Sequence, residues 1–215
     1  MKKKILLLSI LIGSSLFASK IEANKVENRS GIYYNRENNK PFTGKTFFNY
    51  ATGQLKEEKE YKDGIIHGTE KEYYTSGRPK AERNWNKAKL NGKHRTYYED
   101  GTPTSEGEYK NGMKVGTWKT FYENGKTQAI LNYKDDLLDG NARTFYSNGE
   151  TSGRYNYKLG KEHGDVTTFH ENGEKKDILS YKNGYLNGWQ KSYSIKGHLL
   201  KQERYDMGVI TKRKK

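Results

Sequence analysis

Five histidines, 26 carboxylates and no cysteine are the groups from which a reactive site could be assembled in this 215-residue chain. Without cysteine there is no thiol nucleophile, no disulfide and no thiolate metal ligand. His67, His94, His163, His170 and His198 are scattered, and only His67 and His163 share a place in the 24-residue period described below. Four periods of two strands each hold those two about 38 Å apart, far outside the first coordination sphere of one metal ion. Glu58, Glu82 and Glu106 recur at the same period. Across a sheet they stand at intervals of about 10 Å, too far for shared metal ligation or direct acid–base work. Gly44, Gly53, Gly68 and their successors are followed by no helix start, so they read as turn glycines and not as a phosphate cradle. The sequence thus predicts no catalytic residue, no metal, no cofactor and a protein that is not an enzyme.

What does recur is charge and aromatic surface. Lys71, Arg95, Lys119, Arg143 and Lys191 occupy one position of the period, with Thr167 interrupting the series. Lys62, Lys110, Lys134, Lys158 and Lys182 occupy another. Two residues beyond the first series stand Tyr73, Tyr97, Phe121, Phe145 and Tyr193, and residues two apart on a strand share a face. Those five cations and five rings are the candidate binding residues for an extended anionic ligand. Lysine also serves solubility and keeps sheet edges from pairing. Tyr74, Tyr98, Tyr122 and Tyr146 fill the adjacent position, so stacked rings are expected on both faces in place of a conventional core.

The elements that position these residues follow from the period itself. Gly44, Gly68, Gly92, Gly116, Gly140, Gly164 and Gly188 are each 24 residues apart, and a second glycine series runs from Gly53 to Gly197. Tyr61, Trp85, Tyr109, Tyr133, Tyr157, Tyr181 and Tyr205 form an aromatic series in the same register. Only 32% of the residues are hydrophobic and the net charge is +14, a balance that in a non-repetitive chain signals disorder. The 18 tyrosines and unbroken register across seven copies argue for order instead. Glu123-Asn124-Gly125 and Lys110-Asn111-Gly112 are hairpin-turn sequences, and β-prone segments such as Thr117–Tyr122 separate them. Each repeat is therefore two strands and two turns, about 14 strands in all. The predicted fold is all-β: tandem β-hairpins forming one elongated, twisted, single-layer antiparallel sheet.

The segment Gly107-Glu108-Tyr109-Lys110-Asn111-Gly112-Met113-Lys114-Val115-Gly116-Thr117-Trp118 closely resembles the variant MORN repeat, and the resemblance extends over about residues 42–210. Individual copies depart from it: Trp118 is replaced by Glu70, His94, Ala142, Val166 or Gln190, and Ser194 stands where most copies have a second tyrosine. The resemblance implies an elongated sheet used as a binding or assembly scaffold. Some bacterial members carry antitoxin-like family labels.

The N-terminus carries an export pattern: Lys2, Lys3 and Lys4, then an uncharged apolar run from Ile5 to Ser19, then small residues. Cleavage is expected after Ala18 or Ala23, which assigns residues 1–23 to a signal peptide. Residues 24–41, with Gly31-Ile32-Tyr33-Tyr34, are expected as an extended cap, residues 42–210 as the repeats and residues 211–215 as a solvated basic tail. No second hydrophobic stretch follows, so no transmembrane segment is expected once the signal is removed. The expected location is the periplasm, the outer surface or the medium, which speaks against a cytoplasmic antitoxin. The expected partner is a protein or glycan, with an anionic surface as the alternative. Nucleic acid would suit the charge and the rings, but export makes it unsuitable as the primary partner.

Overall fold

A computed structural model describes residues 19–214. The described residues open with β1 (Ser19–Glu22), a short 3-10 turn, and the hairpin β2 (Val26–Arg29) and β3 (Ile32–Asn35). The repeats follow as β4 (Gly44–Asn49), β5 (Leu55–Lys62), β6 (Ile65–Tyr73) and their successors, to a last strand at Val209–Lys214. Nineteen strands form one open sheet, and β2 and β3 form a separate pair. The main sheet exceeds the 14 expected strands for two reasons. Bulges divide three strands, as between Leu137–Leu138 and Gly140–Phe145, and one strand is added at each end.

Both added strands lie where the sequence pattern placed none. Most of the expected signal falls on residues 1–18, outside the described residues. Ser19–Glu22, however, pairs in parallel with Gly44–Phe47, so the sheet is mixed and not purely antiparallel. Ile21 and Tyr33 pack on a buried cluster of Val26, Phe42 and Tyr61, which is why the cap is a packed hairpin and not merely extended chain. At the other end Lys212, Arg213 and Lys214 pair with Arg204, Glu203 and Gln202, where a tail was expected. Arg213 reaches the buried Glu203 at 3.2 Å, giving the basic segment a reason to lie down as a strand.

Two kinds of turn alternate. Between Lys110 and Met113 the pair Asn111–Gly112 has φ of 54° and 90°, the two-residue turn whose twist matches that of its strands. At Asn124–Gly125 only Gly125 has positive φ. Its amide donates to the Tyr122 carbonyl and the Tyr122 amide to the Lys126 carbonyl, each at 2.9 Å, and the ladder shifts between Thr120 and Phe121. That is a three-residue loop closed by a glycine bulge, so the two turn sequences do different work. The Gly68 series is not in turns at all. Gly68 lies within β6 at φ 98°, and a side chain there would run into the Glu60 carboxylate.

The strands alternate two faces. One, the core face, carries the Tyr61–Tyr205 series, and the register interleaves it with a row that sequence reading overlooked: Tyr61 opposes Ile66, Trp85 opposes Leu90 and Tyr133 opposes Leu138. Trp118 is buried there and meets Tyr109 edge-on at 5.0 Å. It lies over Gly107, where any β-carbon would collide with the indole. Burial on this face is the main source of stability, because each fully buried large side chain contributes about 1.5–3 kcal/mol.

A second device links repeat to repeat. The hydroxyls of Tyr50, Tyr74, Tyr122 and Tyr146 donate to the carbonyls of Tyr73, Tyr97, Phe145 and Phe169 at 2.6–2.7 Å, and Tyr98 does the same to Phe121 at 3.1 Å. His170 takes the sixth place through Nε2 to the Tyr193 carbonyl at 3.0 Å. The expected stacking of this series is replaced by these staples. The Tyr73–Tyr193 series does not stack either, since its members stand one repeat, or about 10 Å, apart.

Candidate functional site

The face opposite the core face carries the sequence-predicted binding residues. Hydrogen-bond register places the five cations in one unbroken row that crosses the sheet. It begins Phe47, Glu58, Lys71, Glu82, Arg95, Glu106, Lys119. It continues Ile130, Arg143, Arg154, Thr167, Ile178, Lys191, Gln202 and Lys214. The glutamate series and the cation series are thus the two strands of each hairpin seen from the same side.

This interleaving splits the row into two electrostatic halves. In the first, Lys71 faces Glu82 at 3.9 Å, Arg95 faces Glu106 at 3.8 Å and Lys119 faces Glu106 at 3.4 Å; Lys20 of β1 pairs with Glu58. Cations here are answered by carboxylates, and exposed pairs of this kind contribute about 0–1 kcal/mol. In the second half the glutamate position is taken by Ile130, Arg154 and Ile178. Arg143 and Arg154 stand directly opposite one another. Among the described residues none of Arg143, Arg154 and Lys191 has an ion pair. Like charges directly opposite on adjacent strands are destabilising, so this half carries an electrostatic cost that the first does not.

The aromatic series shares this face. Burial pushes the Tyr73 and Tyr97 hydroxyls up, with the Glu58 charge adding to Tyr73 and the Glu82 charge to Tyr97. Phe121, Phe145 and Tyr193 are half-buried at the ends of their strands. The Arg154 guanidinium lies over the Phe169 ring at 5.2 Å, and the Lys214 ammonium lies over Trp189 at 5.0 Å. Neither Arg154 nor Lys214 belongs to the predicted set. Arg154 was legible in principle, because it continues the series of Glu58, Glu82 and Glu106 with reversed charge. Lys214 was hidden by the expectation of a tail. The turn lysines Lys62, Lys110, Lys134, Lys158 and Lys182 are all exposed, at the margin of the sheet and away from the row.

On the core face, carboxylate oxygens of Glu57, Glu70 and Glu72 gather within 4.8 Å of one another. The cluster already has its cations. Lys59 reaches Glu57 at 2.8 Å and Glu70 at 3.4 Å, and Arg83 reaches Glu72 at 2.6 Å and Glu70 at 3.5 Å. The Trp85 indole N–H donates to the buried Glu70 at 2.7 Å. Three carboxylates, two cations and an indole make a structural network that replaces the apolar filling of this repeat. His94 lies beside it, edge-on to Tyr109 at 5.4 Å, with its Nδ1 buried and unpartnered. Burial holds its pKa below the usual histidine value, helped by the Arg83 and Lys114 charges.

Five segments, residues 42–63, 66–87, 90–111, 114–135 and 162–183, match the MORN repeat variant and together cover just over half of the chain. The chain belongs to this family. The unmatched copies keep the repeat geometry, since Gly140 opposes Tyr157 and Gly188 opposes Tyr205 as Gly116 opposes Tyr133. No curated protein matches the chain. MORN repeats are in general non-enzymatic modules and suggest a binding scaffold. Among the described residues no helix is long and apolar enough to cross a membrane.

Proposed function

We propose that this MORN-repeat chain is an exported, non-enzymatic scaffold that holds a protein or glycan of the cell envelope or exterior along its cation-bearing face. The observation that carries the reading is the single register row running from Phe47 to Lys214. An open sheet that repeats one surface at intervals of about 10 Å suits an extended partner. Its core face is occupied by packed side chains, which leaves the opposite face to the partner.

Export rests on the Lys2–Lys4 start and the apolar run after it. The pairing of Ser19–Glu22 with Gly44–Phe47 favours cleavage after Ala18, because cleavage after Ala23 would strip β1 and its Lys20–Glu58 pair from the sheet edge. Intact mass of the protein from its native host is expected to begin at Ser19.

The face assignment is tested by photo-crosslinking in native envelope fractions. A photoreactive phenylalanine analogue at Ile130, on the cation-bearing face, is expected to give a crosslinked product of defined mass. The same group at Leu131, beside Trp118 on the core face, is expected to give none. Recovery of the protein in the cytosol with Met1 attached, or equal products from both positions, would overturn the reading.

A further inference from the structure

We infer that the second half of the row, Arg143, Arg154 and Lys191 with Lys214 beyond, is a binding site for a linear acidic polysaccharide. This inference rests on the scaffold reading and narrows its ligand. Lys71 and Arg95, which composition alone ranks equally with Arg143 and Lys191, are excluded because carboxylates already face them.

The chemistry of the flanking rows identifies the ligand class. On one side of the cations stand Phe145 and Tyr193, half-buried rings that can take the apolar faces of sugars, with Phe169 between them under the Arg154 guanidinium. On the other stand Asn141 and Asn156, paired in register, whose amides can exchange hydrogen bonds with hydroxyls. Asp165 is the one carboxylate in these three rows across the strands from Gly140 to Tyr193. Cations between rings and amides match a polymer that presents carboxylates, hydroxyls and apolar ring faces together. A bare phosphate would use only the cations.

The dimensions favour a polymer over a membrane. From Arg143 to Lys214 the row crosses six strand steps, roughly 30 Å. Ordinary sheet twist turns the strands by roughly 120–150° over that distance. A flexible linear chain can follow such a row, whereas a flat bilayer meets only part of it. The opposed Arg143 and Arg154 repel each other in the free protein, and a carboxylate between them removes that repulsion, so binding is favoured where folding is not.

The probe is polygalacturonate, with its methyl ester as a neutral form of the same backbone and vesicles containing 30% phosphatidylglycerol as a planar anionic surface. Arg143→Gln, Arg154→Gln and Lys191→Gln are combined in one variant. Lys62→Gln, Lys110→Gln and Lys182→Gln are combined in a control of equal charge. The row variant is expected to keep or raise its melting temperature, since like charges are removed. The parent is expected to bind polygalacturonate more tightly than the ester or the vesicles. The row variant should lose about tenfold, as three surface contacts each contributing a factor of about two predict. The control should stay within about twofold. Equal losses in the two variants would reduce the site to net charge, and vesicle binding without polygalacturonate binding would replace the polymer with a membrane. Either result overturns the inference. If polygalacturonate fails to bind while the Ile130 crosslink persists, the ligand class falls and the scaffold stands.

Discussion

Replacing Tyr122 by Phe removes one oxygen and nothing else, and so isolates the staple between neighbouring repeats. The Tyr122 hydroxyl donates to the Phe145 carbonyl at 2.7 Å, while its ring stays half-buried against the hairpin. A net intramolecular hydrogen bond contributes about 0.5–1.5 kcal/mol. The site is only partly buried, so water can reach the freed carbonyl and the upper penalty for an orphaned acceptor does not apply. Tyr122→Phe is therefore expected to cost about 1 kcal/mol. Tyr98 and Tyr146 make the same bond one repeat away on either side. At about 10 Å spacing their effects should add, so the triple Phe variant should lose about 3 kcal/mol. Urea unfolding monitored by circular dichroism measures both, with an unchanged denaturant slope showing that the folded sheet is retained. A neutral Tyr122→Phe beside a strongly destabilising Tyr122→Ala would refute the reasoning and assign these tyrosines to ring packing alone.

Gly107→Ala should destabilise by about 2 kcal/mol because its new methyl group meets the Trp118 indole. In a Trp118→Ala background the same change should cost less than half as much, and the double-mutant cycle read by urea melts checks the coupling. Stability should fall as pH drops below about 6.5. His94 is held below its ordinary pKa by burial, so the unfolded chain takes up the proton first; His94→Leu should flatten the slope of melting temperature between pH 7 and pH 5.

Much of this fold was legible because glycine and tyrosine recur without one inserted residue. The period gave two strands and two turns per repeat, and the Asn111–Gly112 turn has the conformation its residue types demand. Two features were not legible, each for its own reason. Gly68 looks like a turn glycine until register shows it beneath Glu60. Ser19–Glu22 looks like the end of an export signal, and only the exposed edge of Gly44–Asn49 gives it a place in the sheet. The candidate site was half legible. The cation series showed as a column along the chain, but its partner column lies on the other strand of each hairpin. That Glu58, Glu82 and Glu106 neutralise the first half, and that Arg154 does the reverse in the second, becomes visible only when the two columns are read as one row.

The 24-residue unit, and not the hairpin strand, is what the sheet repeats. Deleting residues 116–139 joins Val115 to Gly140, which carries Arg143 into the place of Lys119 opposite Glu106 and keeps both faces in register. Deleting residues 128–139 removes the strand that Gly116–Phe121 pairs with and leaves the bulge and the turn misaligned. Circular dichroism melts of the two variants decide the matter. A cooperative transition, shifted down by the loss of one unit, is expected for the first deletion, and a broad or absent one for the second. Equal damage from both would contradict a 24-residue structural unit.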